Sequence, residues 1–150
     1  MSIHKNRRFA SAGHTLVEVV IVLGIIAVLS AVATQSWQNL VRRQQRAEAR
    51  AALLEVMQQQ ERHRSRHGRY QPFDATAPGS FKWHSGATPA ESAYAISAVA
   101  CAGMSLERCV TALAHPGAAG VQPDRGDPGC GVLRLDSFGV QQADGGVSCW

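Results

Sequence analysis

Apolar residues fall into two regimes along the chain. From Leu16 to Ala33 they form a run holding a single carboxylate, Glu18. That run is close to the ~20 residues a helix needs to cross a hydrocarbon core. Beyond it the apolar positions thin to helical spacing: Leu40, Ala47, Ala51 and Leu54 recur on one face, and Leu53, Val56 and Met57 widen the stripe. No proline or glycine interrupts residues 25–67, and Gly68 stands where a helix C-terminal cap belongs. A helix over residues 15–67 would extend about 80 Å at 1.5 Å per residue. Such a length suits a stalk whose first half lies in apolar surroundings and whose second half packs under a head.

After Gly68 the pattern changes again. Residues 69–92 are rich in Gly, Pro, Ser and Thr and read as a long loop. Strand signals follow at Ala93–Ala100, Cys109–His115, Gly131–Asp136 and Phe138–Gln142, with Ser137 and Gly139 around the tightest turn. Four short strands make an antiparallel sheet with one face free to cover the stem helix. The predicted fold class is α+β: a long N-terminal helix, half of it apolar throughout and half amphipathic, packed on a small four-stranded sheet.

Length and charge narrow the partners. At 150 residues the chain has room for one modest domain beside its apolar segment, which excludes a multidomain enzyme. The net charge of +4 is unevenly placed. Residues 1–13 carry Lys5, Arg7 and Arg8 and no acid, and residues 14–69 hold eight arginines against Glu18, Glu48, Glu55 and Glu61. Residues 70–150 hold four cations against seven acids. Leader and stem are therefore basic, and the head is mildly acidic.

Glu18 is the position that asks for an explanation, since a carboxylate within a membrane helix costs about 2.5–3.5 kcal/mol on insertion scales. A cleaved secretory signal stays open, because SAVATQSW offers a small-residue cleavage site, and a simple membrane anchor explains everything except Glu18. Gly13-His14-Thr15-Leu16-Val17-Glu18, after a short basic leader and before a continuous apolar helix, resembles the class III signal of type IV pilins and their pseudopilin relatives. The resemblance implies that a prepilin peptidase cuts between Gly13 and His14 on the cytoplasmic side and methylates the new N-terminus, keeping the apolar segment. Glu18 then becomes the fifth mature residue, where the family has its characteristic glutamate. In a filament core such a carboxylate pairs with a neighbour's N-terminal ammonium and fixes the axial register; on position alone, a glutamate snorkelling at the membrane boundary is the competing reading. Two departures stand out: His14 replaces the usual Phe at the mature start, and Gln35 replaces a helix proline that many members carry, so the family's curvature does not transfer.

The resemblance divides the chain into a leader (1–13), an apolar helix for membrane and filament core (14–36), an amphipathic stem (37–68) and a head (69–150). The tail pattern YAISAVA, HPG, CGVLRLDSFG and CW is most similar to minor pilins of the Gram-negative type IVa system. Cys101, Cys109, Cys130 and Cys149 all lie in the head, an even number confined to the part that would face an oxidising periplasm. Of the three connectivities, the favoured one joins Cys101 to Cys109, stapling the turn between two strands, and Cys130 to Cys149, tying down the last segment as the family's terminal disulfide does. Zinc is the rival, against which the cysteine spacing offers no C-x-x-C knuckle.

Other chemistry is sparse. His63 and His67, one helical turn apart, have metal-ligand spacing, but Arg62, Arg64 and Arg66 surround them with positive charge, so no metal or other cofactor is expected. Arg125-Gly126-Asp127 spells an adhesion tripeptide inside ordinary turn chemistry, and Asp124 and Asp127 lack the spaced oxygen ligands of a calcium loop. No nucleophile motif or phosphate-cradling loop occurs, so no enzyme is expected. The leading reading is a structural subunit of a type IV pilus, more specifically a minor pilin serving assembly, twitching motility, adhesion or DNA uptake. Its partners would be other pilin subunits through the N-terminal helix, the prepilin peptidase and the inner-membrane assembly machinery. It would sit first in the inner membrane with a periplasmic head and afterwards in the extracellular pilus. The alternatives are a type II secretion pseudopilin and a DNA-binding pilin contacting phosphates through Arg62, Arg64, Arg66 and Arg69. The acidic head places this last reading below a purely structural role.

Overall fold

The computed structural model describes residues 15–150, except the side chains of residues 32–36. The leader, the Gly13–His14 junction and the side chain of Gln35 lie outside the described residues. The chain divides into two compact units, residues 1–39 and 40–150, and helix α1 (Leu16–His67) contributes to both.

In the first unit α1 starts at an N-cap. The Thr15 hydroxyl accepts the Glu18 amide at 3.3 Å, and the Thr15 carbonyl accepts the Val19 amide at 3.3 Å. This is the T-x-x-E spacing of a capping box, and it sets the Glu18 carboxylate in the first turn, at the positive end of the helix dipole. The Ser30 hydroxyl donates back to the Ile26 carbonyl at 2.7 Å, so its polar group is satisfied inside the helix. The large apolar side chains from Leu16 to Leu29 are all between 47% and 80% exposed. The apolar run continues into residues 32–36, and among the described residues no helix is long and apolar enough to cross a membrane.

In the second unit the rest of α1 packs on a sheet of β1 (Tyr94–Ala100), β2 (Val110–Pro116), β3 (Leu133–Asp136) and β4 (Gln141–Ala143), antiparallel throughout and in the order β1-β2-β3-β4. Strand alternation turns Tyr94, Ile96 and Ala98, then Val110, Ala112 and Ala114, then Leu133 and Leu135 inward. From the helix Ala49, Ala52, Leu53, Val56 and Gln60 meet them, with Tyr70, Phe73 and Phe81 closing the core.

Three expectations shift. Of the expected stem stripe, Leu53 and Val56 are buried and Met57 packs partly buried against the core, but Leu40, Ala47, Ala51 and Leu54 are exposed, and Ala49, Ala52 and Gln60 complete the buried row. An alanine-rich helix offers two apolar faces, and a glutamine decides between them. The Gln60 amide donates to the Gln71 carbonyl at 2.7 Å and its oxygen accepts the Gln71 amide at 3.0 Å, satisfying the backbone where the chain leaves the helix. The fourth strand begins at Gln141 instead of Phe138, because the Asp136 carboxylate accepts the amides of Phe138 and Val140, both at 2.9 Å, and holds them in the turn. Residues 69–92 are irregular, yet they cover the free edge of β1. Phe73 exchanges two hydrogen bonds with Ala98, Ile96 donates to Trp83, and Ser85 donates to Tyr94. The β1 edge is thereby removed as a template for unwanted pairing.

Candidate functional site

The C-terminal end of α1 collects most of the candidate residues. Gly68 has φ +76°, a conformation that favours glycine, and its amide donates to the Arg64 carbonyl at 2.8 Å, closing the helix in a left-handed cap. Cations in this last turn face the negative end of the helix dipole, which favours them there.

The four arginines of the sequence reading separate in space. Arg64 turns to the core side: its guanidinium lies 5.0 Å from the Tyr70 ring centre and donates to the Tyr70 hydroxyl at 3.1 Å, while that hydroxyl donates to Glu61 at 2.6 Å. These contacts hold Arg64 against Tyr70, outside the lining of the recess described next, without neutralising its charge. Arg62 and Arg66, one turn apart, instead line a recess of about 270 Å³ with Gln59, His63, His67, Ser80 and Phe81. Arg69 lies just beyond the cap, and its charge reaches His63. No carboxylate lines the recess. The neighbouring acids are committed elsewhere, Glu61 to Tyr70 and Glu55 to Lys82 at 2.9 Å.

His63 and His67 pack against each other. Their rings stack with centroids 4.1 Å apart and planes 18° from parallel. The His67 Nδ1 lies 3.0 Å from the His63 carbonyl, a contact that requires the proton on Nδ1. Burial, then the positive charges of His67 and Arg69, hold the His63 imidazole below its usual range. Among the described residues no group of three or more His, Cys, Asp or Glu side chains gathers to hold a metal.

The adhesion tripeptide is built into the fold. The Asp127 side chain is only 4% exposed and accepts two hydrogen bonds from Arg46, at 2.6 and 2.7 Å, and one from the Tyr94 hydroxyl at 2.8 Å. Burial pushes the Asp127 carboxyl up, but the bonds from Arg46 and Tyr94, the Arg46 charge and the Cys130 amide together hold it below the usual carboxylate range. Burial, followed by the bond to Asp127, raises the Tyr94 hydroxyl. Asp127 is therefore closed to both an adhesion receptor and calcium, and it ties the loop before Cys130 to the stem. Its partner is Arg46, one of several arginines on the helix, which cannot be matched to Asp127 from spacing because 81 positions separate them.

Both disulfides lie in the second unit. Cys101 is bonded to Cys109 across the β1–β2 turn, and Cys130 to Cys149, which secures the segment after β4. Gly131, at φ +59°, sits so close to Asp144 that a Cβ there would fall within 2.9 Å of the Asp144 Cβ, which explains the glycine beside the bridge.

Comparison with known proteins adds to this geometry. Residues 8–34 match the family model described as the prokaryotic N-terminal methylation motif. A type IV pilin from Shewanella oneidensis, solved at high resolution, is similar at 28% identity over 73% of this chain and 97% of its own, with a TM-score of 0.46. No curated protein sequence matches the chain. Residues 35–134 match the family model described as type IV minor pilin ComP, DNA uptake sequence receptor. That match decides between the pilin and pseudopilin readings: with its N-terminal methylation motif and its helix-on-sheet head, the chain is a type IV pilus subunit and belongs to the ComP minor pilin family.

Proposed function

We propose that this minor pilin is a DNA receptor of the pilus, and that its phosphate contacts come from Arg62, Arg66 and Arg69 at the C-terminal end of α1. The observation that carries the reading is a recess lined by two arginines and two histidines with no carboxylate in its wall, on a chain whose family is described as a receptor for DNA. The negative head does not cancel this charge at contact distance, because screening removes interactions between exposed charges beyond about 8 Å at physiological ionic strength. The order of the sequence reading, structural role first and DNA second, is thus revised in favour of a subunit that does both.

The rest of the assignment rests on the N-terminal motif. The prepilin peptidase cuts after Gly13 and methylates His14, the apolar helix over 14–36 holds the precursor in the inner membrane and then enters the filament core, and the head over 69–150 faces the periplasm before export. Glu18 has two tasks in this account. Its amide completes the Thr15 cap, and its carboxylate pairs with the N-terminal ammonium of a neighbouring subunit. The exposed row of Leu40, Ala47, Ala51 and Leu54 is the stem face offered to other pilins.

The test is DNA binding by the full chain in a neutral detergent as salt is varied. Each phosphate contact contributes about −0.9 to the slope of log affinity against log salt, so three contacts give about −2.7, and Arg62→Gln with Arg66→Gln reduces it to about −0.9. A wild-type slope near zero, or one unchanged by the double substitution, rejects the site.

A further inference from the structure

The recess has a feature that phosphate binding does not use. Four rings run in a row from the core to the surface. Phe73 and Phe81, each 6% exposed, stack at 4.9 Å and 5°. Phe81 meets His63 at 5.8 Å in a tilted contact, and His63 stacks on His67 at 4.1 Å. The inner rings belong to the hydrophobic core and the outermost ring, on His67, is exposed. Its orientation is set from within, because one face lies on His63 and Nδ1 donates to the His63 carbonyl. A flat ring held this way, beside two guanidinium groups that have no ion-pair partner among the described residues and the Ser80 hydroxyl, combines a cationic track with an aromatic platform, the two elements by which proteins hold single-stranded nucleic acid.

We propose that this recess takes an unpaired nucleotide, with the base stacked on the His67 ring and its phosphate on Arg62 and Arg66. The inference rests on the DNA reading above and goes further: it assigns the site to single-stranded DNA or a frayed end in preference to the interior of a duplex. In a duplex the base faces are stacked on one another and unavailable, so a ring platform adds nothing to binding there. The helix dipole limits where the phosphate sits. The carbonyl end of α1 repels an anion placed on the axis, so the phosphate lies along the side of the helix, where Arg62 and Arg66 project one turn apart. The base then falls over the last turn, where His67 stands. Burial and the nearby positive charges hold the His63 imidazole below its usual range, a shift toward the neutral form that favours the stacked contact with His67.

The test uses the full chain in neutral detergent at fixed salt, with a labelled twelve-residue oligothymidine and a blunt hairpin duplex of equal phosphate number as probes. Wild type binds the single strand more tightly. His67→Ala weakens single-strand binding by roughly tenfold, the scale of one lost base–aromatic stack, and weakens duplex binding by much less, so that the preference for the single strand is lost. His67→Phe, which keeps a ring but no charge, retains the preference. Equal affinity for the two probes in wild type overturns the inference while the DNA reading stands. Equal weakening of both probes by His67→Ala, or a His67→Phe variant as defective as His67→Ala, also overturns it. Binding to neither probe overturns both readings.

Discussion

The two halves of α1 share one backbone conformation and differ in what covers them. From Leu16 to Leu29 every large apolar side chain is at least 47% exposed, whereas Ala49, Ala52, Leu53, Val56 and Gln60 are at most 1% exposed. The second half is stabilised from within the chain, by a sheet whose inward residues interlock with it. The first half has no such cover among the described residues, and in the reading proposed above its cover is lipid before assembly and neighbouring helices afterwards. Helix formation therefore does not distinguish a stalk from a core element. The location of the partner does, and each half should respond to mutation through a different observable.

The largest effect is expected from the first half, and only on assembly. Gly13→Val should leave full-length precursor in the membrane and abolish incorporation into filaments, as read by mass spectrometry of the N-terminus and by immunoblots of sheared pili. Glu18→Ala should leave cleavage intact and lower incorporation. Neither should change the thermal unfolding of the head.

Substitutions in the second half should do the reverse. Leu53→Ala removes a fully buried side chain and should cost about 2–5 kcal/mol in chemical unfolding. Leu23→Ala, at a position 60% exposed, should cost the head nothing. Asp127→Ala leaves the partly buried Arg46 without its partner and should cost about 3 kcal/mol, with the lower end of the range for broken buried pairs applying because Arg46 keeps some solvent contact. Replacing Cys130 and Cys149 together by serine removes a constraint on a loop with a sequence separation of 19 and should cost about 3 kcal/mol.

The comparison also explains what could be read from sequence. The apolar run, the long helix and the existence of four strands follow from patterns local to each segment. So does the carboxylate at Glu18, and its T-x-x-E relation to Thr15, present in the same residues, adds a capping role. The buried face of the stem was legible in part: Leu53 and Val56 belong to the expected stripe, whereas Leu40 and Leu54 are exposed. Hydropathy gives no sign that Gln60 is buried, because its place depends on the two hydrogen bonds it exchanges with Gln71, eleven positions away. At the helix end the run Arg62, Arg64, Arg66 and Arg69 announced a basic patch. Its partition into an engaged Arg64 and a recess pair of Arg62 and Arg66 required Tyr70 and Phe81, which sequence alone assigned to a loop.

A smaller effect sharpens the comparison through pH. The Asp127 carboxyl titrates below its unfolded value of about 3.9. It therefore contributes stability that is fully present above that value and is lost as pH falls through the lower folded one. Thermal melts between pH 6 and pH 2 should show a decline below pH 4, and Asp127→Asn should remove that part of the decline. A wild-type curve with the same acid slope as the variant would mean that Asp127 is not held low by Arg46.

The central claim, that one subunit both builds the filament and carries DNA at the end of its stem helix, is tested most directly in cells carrying Arg62→Gln with Arg66→Gln. Surface filaments and DNA uptake are measured in the same culture. The account predicts filaments at the wild-type level, because neither arginine lies in the apolar half or the core, together with uptake reduced on the order of tenfold by the loss of two phosphate contacts. Normal filaments with undiminished uptake would contradict it.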